Sequence, residues 1–487
     1  MVVNYLPTRG LCQLIGSKND FDLIRNKFSV FNEASRHTHN PFVSNTDYTI
    51  TPTGICRTGM IEDYENFARS KNIIFNIPDN IRKIIYPETE YSLQKFALYD
   101  YYDYQEECLN KLLKKGRGLC IVGTGGGKTI IQAGLIESYY KSIGKNFKCL
   151  LLVDGTSMIP QTIEKFKQYG VSFTIGRWES SDINLKYNCT IINNHYITNK
   201  KNINIAKKIF KNNINLLVMD EVHHATKGNV ITKFIDAILI SHKYGFTGTI
   251  PPRKIDEWTI RGIFGNVVYE KPSYELRQEN KLTNTEVKIL NIKYKNPPKF
   301  KFDIGVDEHG NEYIKDSTEV YDKEYQWIFQ NEFRNNLICK ICNSFDKNIL
   351  ILVNSLQHLD ILYNFIKLNS NNKNVCFIKG EVDIENRKNI FDLLEKQNNV
   401  ICIAMSTIFS TGIDVSNINM VMFAAGGQSF IRVVQSIGRG IRLNKNKNKL
   451  IVTDIADKLK YGIRHLNSRK EIYKKEKFPY KEYEMVE

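Results

Sequence analysis

The sequence predicts an α/β protein: two tandem parallel-sheet domains behind a small α+β N-terminal segment. Short apolar runs of four or five residues recur between helical patterns from about 96 to 270, and again from about 336 to 456. Runs this uniformly apolar fit strands covered on both faces, as in a parallel sheet flanked by helices. At 487 residues the chain is also too long for one core, so two to four domains are expected.

Residues 1–95 alternate short aromatic-rich strand candidates, Phe28–Phe31 and Asp47–Thr51, with a helical stretch, Gly59–Ala68. Arg25, Lys27, Arg36, His37, His39, Arg57, Arg69 and Lys71 place cations beside rings. That mixture suits a small nucleic-acid-binding module, with cations on phosphates and rings on bases. It equally suits a structural cap on the next domain.

Residues 96–270 form the first expected sheet domain. Its strand candidates are Gly118–Val122, Cys149–Val153, Thr190–Asn193, Leu216–Met219 and Tyr244–Thr247. Residues 271–335 are polar, with a Pro pair and a turn at Asp307–Asn311, and read as a connection carrying a hairpin or insertion. Residues 336–487 form the second domain, with strands at Ile349–Val353, Val375–Ile378, Val400–Ala404, Val421–Ala424 and Leu450–Thr453. A Lys-rich amphipathic helix follows Asp457 and runs to about Lys477.

The first strand, Gly118–Val122, opens onto Gly123-Thr124-Gly125-Gly126-Gly127-Lys128-Thr129 and then a helix. A glycine turn between strand and helix, ending in Lys-Thr, is a phosphate cradle. Backbone N–H groups and the helix N-terminus face the anion, the Lys128 ammonium reaches the β/γ-phosphates, and the Thr129 hydroxyl binds Mg²⁺. The strict pattern wants glycine at position 122, where this chain has Val.

Asp220-Glu221-Val222-His223 follows the strand Leu216–Met219. An Asp at that strand end is placed to hold Mg²⁺ largely through its waters. Glu221 is then the candidate to activate water, and His223 to sense the γ-phosphate. In the second domain, Gln435-Ser-Ile-Gly-Arg439-Gly-Ile-Arg442 sets two Arg on one helical face. Guanidinium groups clamp phosphate oxygens, and fingers of this kind are worth about 10³–10⁵ in rate.

Together the three patterns resemble motifs I, II and VI of the superfamily-two helicases, over residues 100–456. The resemblance implies two RecA-like domains, ATP and Mg²⁺ as cofactors, and a DExH enzyme, given His224 and Ala225 after Asp220–His223. It implies that Gln105 reads the adenine and that Thr247 and Thr249 couple hydrolysis to strand handling. It also implies that Ser406 and Thr407 lie near a strand phosphate and Asp414 near the ribose. Motif Ia is degenerate: Asp154-Gly155 stands where Pro-Thr is usual, leaving Thr156 and Gln161 as its remnants. Gly380–Arg387, Phe409–Ile413 and Ile263–Val267 are similar to the UvsW-like recombination helicases of phages and their viral relatives. That group implies unwinding and branch migration of branched DNA, with the N-terminal segment on a duplex arm. The same motor also serves RNA helicases and transcript-release translocases of viruses, and a third reading is an ATP-switched nucleic-acid clamp.

Bulk properties agree with a polyanion partner. Sixty-eight Lys and Arg against 52 Asp and Glu give a formal net charge of +16, which attracts nucleic acid through phosphate neutralisation, although it also fits a solubilising surface. Ten Cys sit mostly alone in apolar runs, and Cys339-x-x-Cys342 lies in a helical pattern with no second pair, so reduced core thiols and no zinc are expected. With no signal peptide and no membrane-length apolar run, a soluble, intracellular protein is expected, in a host cytoplasm or replication compartment if viral. A monomer or weak oligomer is expected.

Overall fold

The computed structural model describes the chain apart from residues 33–34, 36–43, 156–157, 179–185, 198–203, 205–213, 239, 300–303, 307–311, 315–317, 371–372, 380–383, 407–414, 426–436 and 438–448. It divides into two compact units. One comprises Met1–Gly123 and Gly127–Lys271; the other comprises Pro272–Glu487 with Thr124–Gly126.

The first unit begins with an antiparallel sheet of β1 (Val2–Leu6), β2 (Leu11–Ile15) and β5 (Ile55–Arg57), and a separate ribbon of β3 (Ser29–Phe31) and β4 (Thr46–Tyr48). Its large sheet contains β6 (Gly118–Val122), β7 (Cys149–Val153), β8 (Ile175–Trp178), β9 (Cys189–Asn193), β10 (Leu216–Met219), β11 (Lys243–Thr247) and β12 (Val267–Lys271). Their order is β12-β6-β11-β10-β7-β9-β8, every pairing parallel. Every residue of β6, β7, β9 and β10 is buried, as their uniform apolar composition requires.

The N-terminal segment shares a core with this sheet unit. Val3, Ile24, Phe28 and Tyr64 pack with Ile255 and Trp258 of the helix Lys254–Phe264. Arg57 pairs with Asp236 at 2.8 Å and Arg261 with Asp63 at 2.6 Å. Buried Arg117 joins the parts by donating to the Ile263 carbonyl at 2.6 Å and to the Thr58 hydroxyl at 3.0 Å. Gly59 is where the backbones meet: a Cβ there would lie 2.1 Å from the Arg261 carbonyl oxygen and 2.8 Å from that of Gly262. Gly59→Ala should therefore cost about 1–3 kcal/mol of overpacking. In a thermal melt this reads as a Tm lowered by several degrees, at roughly 2–4 °C per kcal/mol. An unchanged Tm would show that the two backbones can separate without loss.

The second unit repeats the sheet plan with β13 (Asn284–Lys293), β16 (Ile349–Val353), β17 (Asn374–Ile378), β18 (Val400–Met405), β19 (Met420–Phe423), β20 (Lys449–Asp457) and β21 (Tyr480–Val486). Their order is β17-β18-β16-β19-β20-β13-β21, again parallel throughout. A hairpin of β14 (Ile304–Val306) and β15 (Glu312–Ile314) lies apart from it. The fold is thus two tandem RecA-like sheets with a small α+β N-terminal part.

In the second large sheet two strands stand where the sequence reading had none, as do β1, β2, β5, β8 and β12 in the first unit. β13 lies within 271–335, and its polar positions and Lys-rich surroundings hide the apolar pattern of Val287, Ile289, Leu290 and Ile292. β21 follows the C-terminal helix Lys460–Lys475 and is mostly exposed at the sheet edge, so no apolar run announces it. Against β20 of the same sheet, Arg334 of the helix Glu332–Asn343 donates to Asp457 at 2.8 Å and Arg469 of the helix Lys460–Lys475 donates to Asp454 at 2.9 Å, all four buried. Buried pairs of this kind keep both charges compensated.

All ten cysteines are free thiols, nine of them buried. Burial pushes the Cys12 and Cys342 thiols up to about 12. Among the described residues no cluster of three or more His, Cys, Asp or Glu could hold a metal ion, and no helix is long and apolar enough to cross a membrane.

Candidate functional site

Because the first sheet is parallel, the carboxyl ends of β6, β11, β10 and β7 stand in a row. Each end carries a residue singled out above: the glycine loop after β6, Thr247 at the end of β11, Asp220 and Glu221 after β10, and Asp154 after β7. Ligands of such sheets bind beyond these ends.

Gly125 and Gly127 have φ of +86° and +78°, a left-handed backbone that glycine adopts without steric cost and that turns N–H groups into a concave nest. The helix Lys128–Ile143 starts at Gly127 with no side-chain cap, as an anion-binding helix start requires. A Cβ on Gly127 would lie 2.5 Å from Nε2 of Gln105. Gln105 thus packs directly against the loop. It is buried, with Oε1 accepting from the Tyr102 N–H at 3.0 Å and Nε2 donating to the Tyr104 hydroxyl at 3.1 Å.

Asp220 is buried and its Oδ1 has no hydrogen-bond partner. Burial and then the neighbouring Glu221 charge push its carboxyl up to about 7. A buried carboxylate with an unused oxygen, destabilised in its charged form, fits a hard divalent cation. The half-buried Thr129 is on the helix that opens the same site.

Glu221 takes φ +48°, rare for a residue with a side chain and costing about 1–3 kcal/mol where it is held. Its Oε1 lies 3.7 Å from Lys128 Nζ and its Oε2 3.3 Å from His223 Nδ1. Burial acts to raise its pKa, but the Lys128 ammonium and the His223 ring hold the carboxyl well below the usual range. One carboxylate of the pair is thereby kept ionised beside a lysine, and the other is left for a cation.

His223 Nδ1 is also 3.2 Å from Thr247 Oγ1. The Thr247 hydroxyl donates to the Thr249 carbonyl at 2.7 Å, so the ring N–H is the donor toward Thr247, which places a proton on Nδ1. The next residue, His224, sets Nε2 3.2 Å from Asp154 Oδ2, and its ring lies 4.2 Å from that of His223.

In the second unit Ser406, after the end of β18, donates to Asn354 Oδ1 at 2.5 Å, after the end of the neighbouring β16. Thr156, Thr407, Asp414, Gln435, Arg439 and Arg442 lie outside the described residues. Of the N-terminal cations read as phosphate partners, Arg57 is taken by Asp236, Arg69 by Glu65 at 2.9 Å, and Arg25 stacks over Tyr48. Sequence reasoning missed Asn354 and the Asp154–His224 contact, since no local pattern connects residues on different strand ends.

The family described as type III restriction enzyme, res subunit, matches residues 98–252, and the helicase conserved C-terminal domain matches residues 333–444. The chain belongs to the superfamily-two helicases. This helicase is 27% identical over 402 residues to the ATP-dependent DNA helicase uvsW of Enterobacteria phage T4, covering 77% of this chain and 76% of that protein. It is 23% identical to the putative ATP-dependent helicase IRC3 of Saccharomyces cerevisiae, covering 74% of this chain but 52% of the yeast protein. Its fold is shared with the ATP-dependent type ISP restriction-modification enzyme LlaBIII bound to DNA, at a TM-score of 0.59 and 13% identity, over 80% of this chain and 32% of that one. The helicase is ATP-dependent and acts on nucleic acid.

Proposed function

We propose that this helicase translocates on DNA and remodels branched DNA, with ATP and Mg²⁺ taken at the strand ends of the first sheet. The observation that carries the reading is the partnerless, buried Asp220 oxygen beside a Glu221 ionised against Lys128. Lys128 and the N–H groups of the glycine loop bind the phosphates, and Thr129 and Asp220 hold Mg²⁺, which when bound neutralises phosphate charge. Glu221 orients the attacking water and accepts its proton; His223, with its Nδ1 proton, ties Glu221 to Thr247 and through it to Thr249. Gln105 braces the loop near the adenine. Gln435, Arg439 and Arg442 stabilise charge on the transferring phosphoryl group, and Asp414 takes the ribose.

The net charge of +16 supports a nucleic-acid track, and likeness to a protein named as a DNA helicase supports DNA as that track. Contacts from Thr156, Ser406 and Thr407 to phosphates would make binding sequence-tolerant and salt-sensitive. Residues 1–95 are proposed to meet a duplex arm, through cations such as Lys27 and Lys71 rather than through Arg57. ATP-dependent unwinding should be compared across a fork, a four-way junction and an RNA–DNA duplex. Branched DNA is expected to be processed fastest, with ATPase stimulation by DNA at least about tenfold above that by RNA. Equal or greater stimulation by RNA would replace this reading with an RNA helicase.

A further inference from the structure

Asp154 stands where the superfamily motif would have an uncharged residue, and a carboxylate there would repel a strand phosphate. Its side chain is only 11% exposed, and it faces His224 Nε2 at 3.2 Å. His224 follows His223, and the two rings are 4.2 Å apart. His223 in turn touches Glu221 and Thr247, and Glu221 faces Lys128. A contiguous set of contacts therefore runs from the phosphate loop, through the catalytic turn after β10, to the turn after β7. That turn is held from its other side as well, since the Gly155 N–H donates at 3.2 Å to Oδ1 of Asn193, the last residue of the neighbouring β9, with Gly155 at φ +93°.

We propose that Asp154 and His224 are positioning residues whose contact couples the catalytic turn to the turn after β7, so that nucleic acid accelerates ATP turnover through it. The inference rests on the assignment of ATP to the Lys128–Glu221 site. The catalytic turn changes its interactions when phosphates and a cation replace the Lys128–Glu221 contact. His224 shares that turn, and Asp154 begins the segment leading to the helix Met158–Tyr169. Energetic coupling of this kind travels through packed and hydrogen-bonded neighbours and has to be shown by a cycle of variants. It is reciprocal for binding, so the same contact transmits ATP occupancy to the nucleic-acid side.

The test uses the full chain with Asp154→Asn, His224→Gln, the double variant, and the exchange Asp154→His with His224→Asp. For each, kcat and KM for ATP are measured with and without saturating single-stranded DNA. Each single variant is expected to lower the ratio of stimulated to unstimulated kcat by about 3- to 30-fold, with KM for ATP within about twofold of the parent. The double variant is expected to fall no further than the worse single, and the exchange variant to recover part of the ratio. A ratio unchanged in both singles, or a double variant that falls by the product of the two, overturns the link. If the exchange variant shows no cooperative melt, the cycle of the other three decides alone. Normal turnover in Lys128→Ala would instead defeat the ATP-site assignment, whereas an inactive Lys128→Ala with parental ratios in the Asp154 and His224 variants defeats the link only.

Discussion

Lys128→Ala is expected to lower ATP turnover by about 10²–10³-fold while nucleic-acid binding stays within a few-fold of the parent. The Lys128 side chain is only 11% exposed and its ammonium is 3.7 Å from Glu221 Oε1, so it acts where water screens it weakly. Losing a fixed cation aimed at developing phosphate charge is worth about 3–4 kcal/mol in such a site. Truncation also strips Glu221 of the charge that keeps it ionised, so the candidate base becomes harder to deprotonate as the phosphate clamp disappears. The groups proposed to bind nucleic acid lie elsewhere, so its affinity should be nearly indifferent. Multiple-turnover phosphate release and fluorescence anisotropy with labelled single-stranded DNA separate the two effects. Turnover within about tenfold of the parent would remove the phosphate-loop assignment.

Glu221→Gln is expected to reduce kcat by about 10²–10⁴-fold, the usual range for a general base, without weakening ATP binding. The amide keeps the side chain's size and can still accept from His223, so the turn after β10 should hold. It cannot take a proton, and it no longer attracts Lys128, which becomes fully available to phosphates. ATP affinity should be equal or higher, and the variant should accumulate as a nucleotide-bound, non-turning-over complex. Equilibrium binding of a fluorescent ATP analogue, set against phosphate release, reads both quantities. A raised Kd with unchanged kcat would mean that Glu221 shapes the pocket and does not act on water.

The site's location in the first unit departs from that of its conspicuous cavity. A cavity of about 1350 Å³ lies beside Arg82, Lys114, Arg117, His242 and Asn266, toward the amino ends of the strands. The proposed nucleotide site is at the opposite ends, as expected for ligands of a parallel sheet. Chemistry and topology, not the size of a hollow, are the grounds for proposing it there.

Several features were legible in the chain because their causes are local. Gly118–Val122, Cys149–Val153, Leu216–Met219 and Ile349–Val353 are strands as read, since a strand buried on both faces has to be apolar at every position. The glycine loop and the residues Asp220–His223 were legible as candidates because the chemistry of phosphate and cation sites constrains neighbouring residues. β21 was not, because an exposed edge strand is ordered by pairing with β13 and keeps a polar sequence. The N-terminal cations were legible as charges but not as partners: Arg57 meets Asp236, and Arg69 meets Glu65. Only the fold decides which cation has a carboxylate within reach.

The sequence by itself determined the two-sheet architecture and named the candidates for facing phosphate, with the strand ends that carry them. Only the tertiary structure decided that Asp154 faces His224, that Asp220 keeps an unused oxygen, and that Gly59 lies against the helix Lys254–Phe264. The physical reason is one of range. Periodicity and turn chemistry act over a few residues, whereas contact between strand ends depends on the order β6-β11-β10-β7 in which the strands are laid side by side.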